Sequence, residues 1–168
     1  EFTFIDFKSA AISGCAVEAA GDGKGGWSDQ GPANDMSIFN NYGVQKFSGI
    51  EFDIIDPDAN GGNSCIMLRG RGDTSYPTDA EVTVDNLKTK GLYFLHACPY
   101  SPEGQPVGSY TIVYSDGTEE VIELIRDYQI FEWWNNADMF SDYAVSVWNG
   151  QNGSSVVNLN MMPWSNPY

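Results

Sequence analysis

Basic side chains are the scarcest class in this chain: 8 Lys and Arg stand against 23 Asp and Glu, for a net charge of −15 and a single histidine. Nucleic acids and anionic membranes are held by Lys and Arg that neutralise phosphates, so this balance argues against both as partners. No run of about 18 apolar residues is present to span a bilayer as a helix. The sequence starts directly in a strand-like pattern at Glu1, without a charged and apolar leader. Any export signal is therefore expected to have been removed or never included.

Cysteine is also sparse. Cys15, Cys65 and Cys98 leave at least one thiol unpaired, and none has the close spacing of a zinc site. Cys65 and Cys98 lie in apolar, strand-like runs, where a small buried side chain is the expected role. A Cys65–Cys98 disulfide stays open, because spacing alone does not decide it.

Helical periodicity is missing too: no amphipathic helix with caps exceeds about two turns, whereas period-two patterns bounded by turn residues recur throughout. Strands are expected at 2–6, 47–55, 64–69, 81–85, 91–97, 108–114, 119–125, 143–148 and 155–161. With no helical crossovers between them, they point to an all-β, antiparallel β-sandwich of the jelly-roll kind. No repeat or Pro/Ser-rich linker divides residues 1–168, so one domain is expected, and a chain of that size buries roughly 70% of its unfolded surface.

The clearest local element is the hairpin around Asp116-Gly117. A two-residue type I′ turn there would put Ile112 opposite Val121 and Tyr110 opposite Glu123. Two long stretches, 13–45 and 127–142, lack strand patterns and are the places to expect binding loops.

What is abundant is aromatic and amide chemistry, with Phe, Tyr and Trp making up 14% of the chain. In Gly26-Trp27-Ser28-Asp29-Gln30-Gly31-Pro32-Ala33-Asn34-Asp35 a large ring sits among carboxylates, amides and turn formers, the set a sugar-contacting loop uses. A pyranose packs its C–H face on an aromatic plane while its hydroxyls seek Asp, Asn and Gln. The competing reading is local, since Asn and Asp satisfy their own turn backbone. Trp27 is then a loop anchor instead of a platform.

After Arg126 there is no Lys or Arg at all, yet four of the five tryptophans, Trp133, Trp134, Trp148 and Trp164, lie there. Trp148 reads as core by its strand position. Trp133 and Trp134 are adjacent, so in extended chain they point to opposite faces, one buried and one exposed.

Catalytic and metal signals are weaker. Glu132 beside the tryptophan pair is the first acid to suspect, because an aromatic neighbour desolvates a carboxyl group. A glycosidase would still need a second carboxylate roughly 5 to 10 Å away. Glu119, Glu120 and Glu123 read as solvated hairpin charges, and His96, within Leu92 to Cys98, reads as a satisfied core histidine. Asp56-Pro57-Asp58-Ala59-Asn60-Gly61 imitates half a calcium loop, but the twelfth position is Met67, which excludes an EF-hand. The metal set stays unknown, with structural calcium elsewhere in the acidic loops kept open. Arg71-Gly72-Asp73 and Asn152-Gly153-Ser154 are tripeptides short enough to occur by chance.

Several of these runs together resemble jelly-roll carbohydrate-binding modules of bacterial polysaccharide-degrading enzymes. They are Gly26 to Pro32, Phe47 to Pro57, Leu92 to Ala97, Tyr114 to Thr118, Trp133-Trp134, Val147 to Gly150 and Pro163 to Pro167. The resemblance covers most of the chain and implies a non-catalytic, extracellular module. Its partners would be a neutral polysaccharide or oligosaccharide, a β-glucan first, and an appended glycoside hydrolase domain. Contacts would fall on Trp133 and Trp134, with Trp27, Asp29 and Gln30 as a wall or brace, and on Trp164. Similar sequences carry a further strand after the position of Tyr168, which implies a piece cut from a larger enzyme. The alternative is a small β-sandwich hydrolase or lyase acting through Glu132.

Overall fold

A computed structural model describes residues 2–23, 26–70, 76–84 and 87–168. The chain is all-β: among the described residues the only helical elements are two short 3₁₀ turns, Pro32–Asn34 and Pro57–Ala59. Among the described residues no helix is long and apolar enough to cross a membrane. Seven strands are present among them: β1 Gly43–Phe47, β2 Ile50–Ile54, β3 Gly91–His96, β4 Pro106–Val113, β5 Glu119–Ile125, β6 Val145–Gln151 and β7 Val156–Ser165. They form three small antiparallel sheets, β1-β2, β4-β5 and β3-β7-β6.

Two compact units divide these elements. One takes Glu1–Lys88 with Gly150–Ser155, and the other takes Thr89–Asn149 with Val156–Tyr168.

In the first unit β1 and β2 are a tight hairpin in which Phe47 pairs with Ile50. Only Ser48 and Gly49 lie between them, both at positive φ (48° and 87°), as a type I′ turn requires. The expected strand 47–55 is thus broken at the Ser-Gly pair. Phe47 ends one strand, and its ring meets Phe39 and Phe52 at centroid distances of 6.2 and 6.1 Å. Met36, Phe39, Val17 and Ala11 are buried with it.

The expected strand 2–6 does not form. Region 64–69 forms only an isolated bridge between Cys65 and Ser13, and 81–84 forms no ladder. Position 85 and Arg71-Gly72-Asp73 lie outside the described residues.

The second unit holds the other two sheets. In the β4-β5 hairpin Tyr110 pairs with Ile122 and Ile112 with Glu120, one residue out of the expected register. The loop has three residues, because Gly117 N–H bonds Tyr114 O (2.9 Å) and Tyr114 N–H bonds Thr118 O (2.9 Å). Gly117 alone takes positive φ (84°), the geometry of a type I turn closed by a glycine bulge. Asp116 stabilises that choice by accepting from Thr118 N–H (2.9 Å) and Oγ1–H (2.7 Å). The shift sends Tyr110, Ile122 and Leu124 inward and leaves Val113 and Val121 exposed.

Leu124 joins Cys98, Ile130, Phe131, Ala144 and Met162 in the core of this unit. β7 is the middle strand of its sheet and is buried on both faces from Val157 to Met162. Asn158 and Asn160 there are fully buried amides.

Candidate functional site

Segment 127–142 is long and mostly without regular ladder, as a binding loop is expected to be, yet its backbone is stitched at both edges. On one side Cys98 N–H bonds Phe131 O (3.0 Å) and Trp133 N–H bonds Cys98 O (3.1 Å). On the other, Asn158 N–H bonds Trp133 O (2.9 Å) and Asn135 N–H bonds Val156 O (2.8 Å). The buried amides complete the frame: Asn158 Nδ2 donates to Glu132 O (2.8 Å), while Asn160 Oδ1 accepts from Phe131 N–H (3.3 Å). A polar side chain is tolerated inside when it satisfies backbone groups that would otherwise be orphaned.

This frame decides the fate of the tryptophan pair. Trp133 is 1% exposed and offers no face to a ligand. Its expected role as a stacking platform is therefore corrected to that of a core ring. Trp134 is half-buried and meets the Trp133 ring edge-on at 5.1 Å. Of the two, only Trp134 can carry a sugar.

The rings that face solvent on this segment are Tyr128 (51% exposed) and Phe140 (81%), with Tyr143 (52%) directly after it. Ser141 holds their backbones. Its Oγ donates to Tyr128 O (2.5 Å) and accepts from Tyr143 N–H (3.1 Å) and Ala144 N–H (3.0 Å). Phe140 pairs with Val145 in an isolated bridge. The sequence reading missed these three because it weighed tryptophans first. The available signal was Tyr128 and Phe140 in a patternless segment without Lys or Arg, and Tyr143 at the start of the expected strand 143–148.

Glu132 is buried and points at Arg126, whose Nη1 lies 3.9 Å from Oε2; Arg126 Nε also lies 3.6 Å from Asp127 Oδ1. Burial pushes the Glu132 carboxyl above its ordinary value. The Arg126 charge and the N–H groups of Tyr100, Ser101 and Trp134 pull it partly back. Glu132 Oε1 has no hydrogen-bond partner.

His96 is the satisfied core histidine expected of its strand. Nε2–H donates to Gln129 O (3.1 Å), so Nδ1 accepts from the Tyr110 hydroxyl (2.9 Å). Desolvation lowers its pKa to about 4 and raises that of Tyr110. Phe94 stacks on Tyr110 at 4.1 Å, and both His96 ring nitrogens are engaged. Trp164 is half-buried near the end of β7, paired with Leu92 of β3, and Trp148 is half-buried on β6.

The remaining expected residues, Trp27, Asp29 and Gln30, belong to the first unit. Their loop is bonded largely to itself, although the buried Asp29 Oδ1 has no hydrogen-bond partner. Asp29 O accepts from Gly21 N–H (2.8 Å), and Ser28 Oγ–H donates to Asn34 O (2.6 Å). Asp35 is buried, accepting Val17 N–H (2.8 Å) on one oxygen and both Ser37 groups on the other. Asp29 Oδ2 is drawn to Gly23 N–H (3.3 Å). Trp27 is half-buried and only Gln30 is exposed, so the loop braces the fold more than it lines a rim.

The first unit also carries a cleft of about 410 Å³ lined by Lys8, Tyr42, Asp53, Ile54, Asp56 and Asn60 among others. The half calcium loop borders it but is spent on its own turn: Asp56 Oδ1 accepts from Asp58 N–H (3.0 Å), and Asn60 Nδ2 donates to Lys8 O (3.1 Å). Among the described residues no three His, Cys, Asp or Glu side chains gather as a metal-holding group.

Asn152 is engaged as well, donating to Asp35 O (3.0 Å) and accepting from the N–H groups of Ser154 and Ser155. No protein-family model, curated protein or solved structure matches the chain.

Proposed function

We propose that this chain is a non-catalytic carbohydrate-binding module, an extracellular β-sandwich of the jelly-roll kind. It would hold an appended glycoside hydrolase against a neutral polysaccharide, a β-glucan first. Its contribution would be effective concentration at the substrate surface.

One observation carries this reading: Tyr128, Phe140 and Tyr143 stand exposed on a segment whose backbone is hydrogen-bonded in place. Exposed aromatic rings on a hydrogen-bonded loop offer a ready stacking surface. A sugar supplies the C–H face such rings accept, and Asn135 and Asn136 beside Trp134 supply amides for hydroxyls.

Affinity electrophoresis in gels containing cellulose derivatives, mixed-linkage glucan, xyloglucan, mannan or xylan tests it. Retardation on at least one polymer is expected. Phe140→Ala and Trp134→Ala should each weaken it about fivefold, as loss of an anchor worth ~1 kcal/mol does. Unchanged migration on every gel overturns the proposal. Retardation lost only in Tyr42→Ala moves the site to the cleft of the first unit.

A second reading is favoured by Glu132, a buried carboxyl with a raised pKa and an unpartnered oxygen, as a general acid requires. Reducing sugar released from the same polymers, and lost in Glu132→Gln, would establish a hydrolase instead.

A further inference from the structure

Segments 13–15 and 62–65 run against each other more closely than any side chain between them would allow. Ser13 and Cys65 pair as an antiparallel bridge, with Cys65 N–H bonding Ser13 O (3.0 Å) and Ile12 N–H bonding Cys65 O (3.1 Å). A Cβ at Gly14 would stand 2.5 Å from Gly62 O, so glycine there is what permits the approach.

This contact gathers two sulfurs. Cys65 Sγ lies 3.3 Å from Ser13 O, and Cys15 Sγ lies 3.7 Å from Ser64 Oγ, on the residue next to Cys65. Both sulfurs therefore lie at the one contact between these two segments, and both residues are half-buried. Cys98 belongs to the other unit, is buried and contacts Ser101 Oγ at 3.3 Å. All three cysteines are free thiols, so the Cys65–Cys98 disulfide that the sequence left open is not formed.

We propose that Cys15 and Cys65 are a redox pair that closes into a disulfide, stapling the strand-poor first unit across its N-terminal segment. The oxidant is a low-molecular-weight disulfide. Cys15 attacks first, because its Sγ lies 3.7 Å from the Ser64 hydroxyl, a donor able to stabilise the thiolate. Its thiolate attacks one sulfur of the oxidant and expels one thiolate. Cys65 then attacks the Cys15 sulfur of the mixed disulfide and expels the second. Two electrons pass to the oxidant, and the two thiol protons end on the two released thiols.

A peptide map of the full chain tests this, because Cys15, Cys65 and Cys98 fall in separate tryptic peptides, 9–24, 47–69 and 91–126. The protein is equilibrated with glutathione disulfide, alkylated after unfolding and digested without reductant. Peptide 9–24 joined to 47–69, lighter than the pair by two hydrogens, with Cys98 alkylated, is the expected result. The link should persist in Cys98→Ser and vanish in Cys15→Ser, and reductant should lower Tm in Cys98→Ser but not in Cys15→Ser. Three alkylated thiols, glutathione adducts alone, or a link to Cys98 would overturn the proposal.

Discussion

Asn158 and Asn160 are amides at positions where β7 would otherwise take only apolar side chains, and each acts as a surrogate backbone for segment 130–136. His96 uses the same economy, with both ring nitrogens engaged by Gln129 O and the Tyr110 hydroxyl. Its histidine is held neutral with a pKa near 4, against 6.5 for a free imidazole. In that interval the unfolded chain binds more protons than the folded one, so stability is complete above pH 6.5 and is lost as pH falls toward 4. The loss is about 3 kcal/mol at 1.36 kcal/mol per unit. Glu132, with its raised pKa, acts in the opposite direction and regains stability as pH falls. Urea unfolding of the wild type and His96→Gln at pH 7 and pH 4.5 separates the two, and the variant should lack the acid-sensitive part. At this scale His96 was legible, because one histidine within an apolar strand has few solvated alternatives. The burial of Trp133 was only half legible, since alternation assigns opposite faces without saying which is inner.

Both hairpins close by turns other than those expected, since Ser48-Gly49 was read as part of a continuous strand 47–55. Asp116-Gly117 carries the strongest short-range type I′ signal in the chain, but the Asp116 carboxylate captures Thr118 and the turn closes as a three-residue loop. Ser48-Gly49, a weaker signal, takes the two-residue turn with both residues at positive φ. Ser48→Asn should therefore stabilise the protein by about 0.5 kcal/mol, because Asn tolerates the left-handed region better. Gly117→Ala should cost about 1 kcal/mol for the same reason in reverse. Chemical denaturation midpoints read both, and a destabilised Ser48→Asn would refute the assigned turn. Strands 91–97, 108–114, 119–125, 143–148 and 155–161 were legible to within a few residues in each case. The expected strands at 2–6, 64–69 and 81–85 were not borne out among the described residues, since alternation announces a strand but only a partner edge makes a ladder.

For the whole molecule the dominant quantity is charge, −15 over 168 residues. A protein of this sign repels acidic polymers, so the proposed binding is expected to be confined to neutral polysaccharides. Retardation should be unchanged between 20 mM and 500 mM salt, where an electrostatic contact would be screened, and polygalacturonate gels should give none. Retardation by polygalacturonate that salt abolishes would contradict a stacking site.

The amino-acid sequence by itself determined that the chain is all-β and that its net charge is negative. The shortage of Lys and Arg is an additive property that no packing arrangement can reverse, and period-two patterning without helical periodicity leaves strands as the regular element the chain can form. It also marked 127–142 as the segment to watch, since an aromatic-rich stretch without strand pattern was visible there before any coordinates. Only the tertiary structure decided which rings are buried and which segment lies against Cys65. Each of those depends on a partner distant in sequence: Asn158 for the Trp133 backbone and Ser13 for Cys65. Exposure and pairing are properties of contacts, and contacts between residues tens of positions apart are not written in any single stretch of chain.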